Sequence, residues 1–186
     1  MDQIIALDSL DEKKIEENLN KEKEFTYIFE TYYKRIYNYI YYRVNGHYIT
    51  EDLTSQVFEK LILKIGTYSE SKSPFEVWLF AIARNVVNDH FRRIKKGKLF
   101  SLDMIKELIS REKTPEDMVL TGEANDKLLK ALNMLSIRDR NIVALKFGAN
   151  LKNKEIAELL DITESNVGII LYRTMKKLKK EIEREG

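Results

Sequence analysis

The stretch Lys152-Asn-Lys-Glu-Ile-Ala-Glu-Leu-Leu-Asp-Ile-Thr-Glu-Ser-Asn-Val-Gly-Ile-Ile-Leu171 decides how the chain is read. Its apolar positions Ile156, Leu160, Ile162, Val167 and Ile170, with the small Ala157, fit two helices crossing at a tight turn. Ala157 falls where the helices approach most closely, and Ile156, Leu160, Val167 and Ile170 are expected to seal the seam. Asp161 takes the turn position usually given to glycine, and aspartate tolerates the left-handed backbone better than most residues. Thr163 is placed to cap the second helix.

That second helix then exposes Glu164, Ser165, Asn166, Ile169, Tyr172, Arg173 and Lys176. Asparagine and arginine bond base edges or phosphates, while basic side chains toward the helix end hold it on the DNA backbone. A helical hairpin buried in a core shares the apolar spacing but has no need of the basic extension Arg173, Lys176, Lys177, Lys179 and Lys180. The segment from Lys152 to about Lys177 is therefore expected to be a helix-turn-helix that reads duplex DNA.

Working outward, Leu128, Leu132 and Leu135 mark one helix before it, and Ile142, Val143, Leu145 and Phe147 mark another that stops at Gly148. Further upstream, Phe25, Ile28, Phe29, Tyr32, Ile36, Ile40 and Val44 recur at helical spacing, predicting a long helix from about Glu22 to Val44 that Asn45-Gly46 ends. Its many tyrosines point to all faces, so packing is expected for most of them. Thr50 is expected to cap a helix whose buried stripe is Leu53, Val57, Leu61 and Ile65, with Gly66 as its stop. Ser73-Pro74-Phe75-Glu76 reads as a capping box with proline at the first helical position, starting a helix from Pro74 to about Arg93. Trp78, Leu79, Ile82 and Val86 face its core side, and Ala81, Arg84, Asn85, Asn88 and Arg92 make a polar, basic side.

From Lys95 to about Asn125 the apolar rhythm weakens around Gly97, Pro115 and Gly122, with a short helical candidate at Leu102 to Ile109. That stretch reads as an interdomain linker. Over 186 residues, only 2 Pro and 7 Gly leave little turn chemistry for a many-stranded sheet. The fold class expected is all-α, two small helical domains joined by a linker, the C-terminal one holding the helix-turn-helix. The boundaries are an acidic segment at 1–21, a first domain at 22–94, the linker at 95–125 and a second domain at 126–186.

The absence of cysteine excludes disulfides, thiolate catalysis and cysteine-built zinc sites. His47 and His90 stand in unrelated contexts without metal-ligand spacing, and no nucleophile, base and orienting group converge, so neither catalysis nor a cofactor nor a metal is expected. No apolar run spans a bilayer and no stretch reads as a signal peptide, so a cytoplasmic protein without membrane insertion is expected. A net charge of +2 decides nothing by itself, but its distribution does. The N-terminus carries Asp2, Asp8, Asp11, Glu12, Glu16 and Glu17 against only Lys13 and Lys14, whereas Arg84, Arg92, Arg93, Lys95, Lys96 and Lys98 cluster together.

Three motifs occur in order: Glu51-Asp-Leu-Thr-Ser-Gln-Val-Phe58; Trp78-Leu-Phe-Ala-Ile-Ala-Arg-Asn85 followed by Asp89 and Arg92-Arg93; and the helix-turn-helix with Leu171-Tyr-Arg173. In this order, over roughly Glu22 to Glu183, the chain resembles a two-domain bacterial RNA polymerase sigma factor of the extracytoplasmic-function type. The resemblance implies that Asp52, Leu53, Gln56 and Phe58 dock on the clamp helices of core RNA polymerase, although Leu53 and Phe58 also suit a core role.

It further implies that the Trp78–Arg93 helix and the loop Thr67–Ser73 capture the non-template strand at the minus-ten element. There Arg84, Asn85, Asn88, Arg92 and Arg93 supply hydrogen bonds and phosphate contacts, and Trp78 is assigned to the core. The helix-turn-helix corresponds to the module reading the minus-thirty-five element, through Thr163, Ser165, Asn166, Ile169, Arg173, Lys176 and Lys177. Three positions depart from the family pattern: Ser136 for a usual proline, Lys152 for a Ser or Thr cap, and Gly168 for a frequent lysine. The implied partners are core RNA polymerase, promoter DNA and an anti-sigma factor. The competing reading is a helix-turn-helix repressor or activator with an N-terminal dimerisation or effector domain.

Overall fold

The computed structural model describes the backbone of residues 2–100 and 123–184, and the side chains of 21–96 and 127–184. The described residues form α-helices α1 (Asp2–Val44), α2 (His47–Lys64), α3 (Phe75–Phe100), α4 (Glu123–Asn133), α5 (Ile137–Val143), α6 (Asn153–Leu160) and α7 (Glu164–Arg184). No strand occurs among them, as expected of an all-α chain. The helical candidate at Leu102–Ile109 lies outside the described residues, as does most of the expected linker. The chain forms two compact units, one up to Lys34 and one from Arg35 onward, with α1 contributing to both.

In the first unit α1 begins at Asp2, some twenty residues before the expected start at Glu22. No glycine or proline interrupts residues 2–44, so nothing local stops the helix. Phe25, Phe29 and Tyr33 stand one turn apart with ring centroids 6.2 and 5.0 Å from their neighbours.

The second unit is built on the last turns of α1. Ile36, Tyr39 and Ile40 are wholly buried there, and Tyr39 meets Phe80 of α3 edge to face at 6.0 Å. Asn45 ends α1 in the left-handed conformation (φ 54°), its N–H donating to Tyr41 O at 2.9 Å. α2 packs on α3, and Leu53, Val57, Phe58 and Leu61 of the one and Val77, Leu79, Ile82, Val86 and Val87 of the other are buried.

Two expected helix starts are corrected. α2 begins at His47, so Thr50 is buried inside its first turn, and its hydroxyl donates back to Gly46 O at 2.6 Å instead of capping an amide. Pro74 O accepts the first bond of α3, from Trp78 N at 3.1 Å, which makes Pro74 the cap residue and leaves the Ser73 hydroxyl near Pro74 O instead. The box does not close because the Glu76 carboxylate is taken by Arg35, in a two-pronged contact at 2.7 and 3.1 Å.

α4 and α5 pack on α7, and α6 packs on both α7 and α3. A π-helical turn, Ala144–Gly148, follows α5 and brings Gly148 against the backbone of α1. A Cβ on Gly148 would stand 2.9 Å from main-chain atoms of Asn38 and Tyr39, so only glycine permits this approach. Arg35 fastens the same contact by donating Nε to Ala149 O at 2.8 Å. Tyr39 donates its hydroxyl to Asn141 Oδ1 at 3.0 Å, Arg43 donates to the same oxygen, and Arg140 donates Nε to Tyr42 O at 2.6 Å. The helices before and after the expected linker are therefore joined by side-chain bonds at several points.

Candidate nucleic-acid interface

The helix-turn-helix forms as its local chemistry demands. Asp161 is left-handed (φ 54°, ψ 50°), and its N–H and that of Ile162 close the end of α6 on Glu158 O and Ala157 O. Thr163 Oγ1 accepts from Asn166 N at 3.2 Å and so caps α7. Ile156, Ala157, Val167 and Ile170 are buried at the seam as expected, but Leu159 takes the place given to Leu160, which is only half-buried. Leu159 is 7% exposed, on a helix that packs on both α7 and α3.

Two of the family-pattern departures are compensated locally. Ser136 caps α5 by accepting from Asp139 N at 3.1 Å. Lys152 offers no side-chain acceptor to the first turn of α6, but its own N–H is taken by Glu155 Oε2 at 2.7 Å, half of a capping box.

α7 presents one continuous outer face. Thr163, Ser165, Asn166, Ile169, Arg173, Lys176 and Lys177 are all exposed, as is Tyr172 at 73%. Ser165, Ile169, Tyr172 and Lys176 follow one another at helical intervals, with Asn166, Arg173 and Lys177 on an adjoining stripe. The ion pairs on α7, Lys179–Glu183 at 3.7 Å and Arg184–Glu181 at 3.1 Å, lie beyond Lys177. The basic side chains nearest the motif are thus not neutralised by these pairs.

The polar side of α3 is divided. Asn85, Arg92 and Arg93 are exposed, with Arg92 against Asp89 at 2.8 Å. Arg84 and Asn88 are half-buried and engaged: Arg84 Nη1 donates to Leu159 O of α6, and Asn88 Oδ1 accepts from Arg43 Nη2 at 3.4 Å. Beside this face, Trp78 is half-buried, not a core residue. With Tyr68 and Phe75 it forms a three-ring cluster, centroids 5.2 to 5.7 Å apart, at the junction of the Thr67–Ser73 loop and α3. Sequence reasoning missed Tyr68 and Phe75. Their signal was three aromatics packed around a capping proline.

On α2, Asp52 is exposed and accepts from Gln56 Nε2 at 2.8 Å, whereas Leu53 and Phe58 are 2% and 5% exposed and serve the core. The outer surface also carries Tyr48, Ile62 and Leu63, exposed by 55%, 56% and 82%. Asp52, Gln56, Glu59 and Leu63 follow at four, three and four residues and share one side. Leu63 was readable from sequence as an apolar residue off the Leu53–Val57–Leu61 stripe. Among the described residues no group of three or more His, Asp or Glu could hold a metal ion, and no helix is long and apolar enough to cross a membrane.

The chain matches two family models in succession, Sigma-70 region 2 over residues 28–97 and Sigma-70 region 4 over residues 125–178. It is 33% identical over 154 residues to the ECF RNA polymerase sigma factor BldN of Streptomyces coelicolor, which covers 83% of this chain and 58% of that one. It is 28% identical over 166 residues to the ECF RNA polymerase sigma factor SigX of Bacillus subtilis, covering 87% of this chain and 85% of that one. The fold is similar to that of the sigma factor RpoE in complex with the anti-sigma factor NepR from Bartonella quintana, with a TM-score of 0.67 and 19% identity over 87% of this chain and 98% of that one. It is similar also to CnrH in complex with the cytosolic domain of CnrY, with a TM-score of 0.61 and 15% identity over 89% of this chain and 91% of that one.

Proposed function

The chain belongs to the sigma-70 family, as a sigma factor of the extracytoplasmic-function type, and from that premise we propose that it binds core RNA polymerase and directs promoter-specific initiation. The observation that carries the proposal is the pairing of a region 2 half, with Asn85, Arg92 and Arg93 exposed on α3 beside an aromatic cluster, and a region 4 half whose reading helix leaves its outer face exposed. The protein performs no catalysis in this reading and acts in the cytoplasm beside the polymerase.

Each half has its own task. The exposed side of α2, with Asp52 and Gln56 and with Tyr48 and Leu63 beside them, docks on the polymerase. Asn85, Arg92 and Arg93 hold the opened strand at the minus-ten element, and Tyr68, Phe75 and Trp78 offer rings for unstacked bases. α7 enters the major groove at the minus-thirty-five element through Ser165, Asn166 and Ile169, with Arg173, Lys176 and Lys177 on phosphates. The residues 22–94 and 126–186 act as separate domains joined by 95–125, and an anti-sigma factor is a further partner.

Promoter geometry requires this separation. Elements named for positions 25 base pairs apart are about 85 Å apart at 3.4 Å per pair. A packed unit the size of residues 35–186 has a radius of gyration of about 15 Å. The bonds from Arg35, Tyr39 and Arg84 to the second half therefore break when both elements are bound. A stand-alone repressor is not favoured, because it gives the region 2 match no role.

Run-off transcription on a genomic promoter library, with and without core polymerase, tests the proposal. Specific transcripts are expected only with both proteins present. No specific initiation on any promoter overturns it.

A further inference from the structure

Gly168 stands in the second turn of α7, where nothing inside the chain asks for glycine. Its φ is not positive, and a Cβ built on it meets no neighbouring side chain or packed element within 4 Å. A glycine inside a helix is nonetheless less stable than an alanine, because it has more backbone freedom to lose. Of the three departures from the family pattern, it alone has no local compensation.

The next residue, Ile169, is 56% exposed, and Tyr172, one turn further on, is 73% exposed. Single exposed apolar side chains are ordinary on a protein surface. These two lie on the face that also carries Ser165, Arg173 and Lys176, in the first half of a helix whose basic side chains match phosphate. The surface that fits this face is the floor of a major groove, where the apolar group on a base edge is the C5-methyl of thymine. An isoleucine on a helix is held in essentially one χ1 rotamer, so its branched side chain presents a fixed apolar surface with little freedom left to lose. Gly168 beside it removes side-chain bulk at the margin of the same face, which lets the helix axis lie nearer the bases.

We propose that Ile169 reads a thymine through its C5-methyl group, at an approach of helix to groove that Gly168 permits. The inference rests on α7 reading duplex DNA, as proposed above, and adds the base and the chemical group that are read. Ile169 carries neither donor nor acceptor on its side chain. A base edge that offers only polar groups in its place is left with them unpaired, so the position discriminates by desolvation as well as by contact.

Replacing thymine by uracil removes that methyl and leaves every hydrogen-bonding group of the base pair in place. The full-length chain is used to enrich binding sequences from a pool of random duplexes at low salt, where phosphate attraction is strongest. No opening of the packed halves is needed, because the outer face of α7 is already exposed. Each thymine of the enriched sequence is then replaced in turn by uracil. One replacement is expected to weaken binding about fourfold, the worth of one buried methyl, and the same replacement should leave Ile169→Ala unaffected. Gly168→Ala should melt about 2–4 °C above the parent, from helix propensity, and yet bind the enriched sequence at least threefold more weakly. The proposal is overturned if no sequence is enriched, if no single uracil weakens binding, if Ile169→Ala keeps the loss, or if Gly168→Ala binds as tightly as the parent. Run-off transcription is read separately: a thymine-dependent sequence without transcripts removes the sigma function and keeps the contact, and transcripts without sensitivity to uracil do the reverse.

Discussion

Arg84, midway along α3, donates its guanidinium Nη1 to the main-chain oxygen of Leu159 in the last turn of α6. That oxygen is one of the carbonyls a helix leaves without an internal partner, and a cation there also meets the negative end of the helix dipole. A side chain suited to a DNA phosphate thus closes the first helix of the reading motif. Removing it from a partly buried, charge-assisted bond is expected to cost about 1.5–3 kcal/mol. Arg84→Ala should lower the urea midpoint accordingly, and Arg84→Lys should recover only part of it, since a lysine lacks the planar fork. An Ala variant as stable as the parent would leave the contact without energetic weight.

Gly148 touches the α1 backbone where any Cβ would stand 2.9 Å from Asn38 and Tyr39 atoms. Main chain cannot give way as a flexible side chain can, so Gly148→Ala is expected to cost about 1–3 kcal/mol as overpacking. The cheapest relief is separation of the halves, because each keeps its own apolar core. Small-angle scattering should show a larger radius for the variant. With core polymerase, promoter affinity should be at least that of the parent, since in the proposed promoter-bound form the contact is already broken. A variant as compact as the parent, or one with lost promoter binding, contradicts this account.

The parts of the fold readable in advance were those fixed by near neighbours. Asp161 and Thr163 lie within three residues of the groups they serve, so the turn and cap followed from residue type and spacing. Ser73 and Thr50 failed as caps for non-local or competing reasons: Glu76 is claimed by Arg35, 41 positions away, and the Thr50 hydroxyl finds Gly46 O first. Likewise the polar stripe on α3 read as one surface, but Arg84 and Asn88 are spent on partners 75 and 45 positions distant. Spacing along a helix gives its faces; which polar face meets solvent is decided by what folds over it.

Asp161 holds a positive φ of 54° at the turn of the motif. Glycine relieves the side-chain strain there but loses more entropy on folding, so Asp161→Gly should change stability by less than about 1 kcal/mol and keep DNA affinity. A β-branched residue has no comfortable left-handed state, and Asp161→Val is expected to cost about 1–3 kcal/mol. Thermal melts of the two variants check this. Equal loss in both would mean that the Asp161 side chain, not the backbone angle, matters.

His90 on α3 has its pKa lowered, first by burial and then by Arg93, with Asp52 opposing. The unfolded chain therefore takes up a proton near the ordinary value of about 6.5, where the folded chain still resists it. More protons bound in the unfolded state make stability rise with pH, so acidification through that range costs stability until the folded pKa is passed. His90→Gln should shrink the fall in urea midpoint between pH 7.5 and 5.5. An unchanged fall would assign the acid sensitivity to the carboxylates.

Arg173 is exposed on α7 one turn beyond Ile169, with Lys176 and Lys177 following it. At that distance from the start of a reading helix an arginine reaches the phosphate backbone more readily than a base edge, so its contribution should be sequence-independent. Arg173→Ala is expected to weaken promoter binding by the holoenzyme at low salt and to reduce the slope of log affinity against log salt by about one contact. Asn166→Ala, at the first turn, should instead cost about 1–3 kcal/mol at one base position and leave the slope unchanged. Binding titrations at several salt concentrations, on the parent promoter and on promoters altered singly in the minus-thirty-five element, separate the two. A slope unchanged in Arg173→Ala together with lost discrimination at one base would move Arg173 from the backbone to the base edge and reverse the assigned roles.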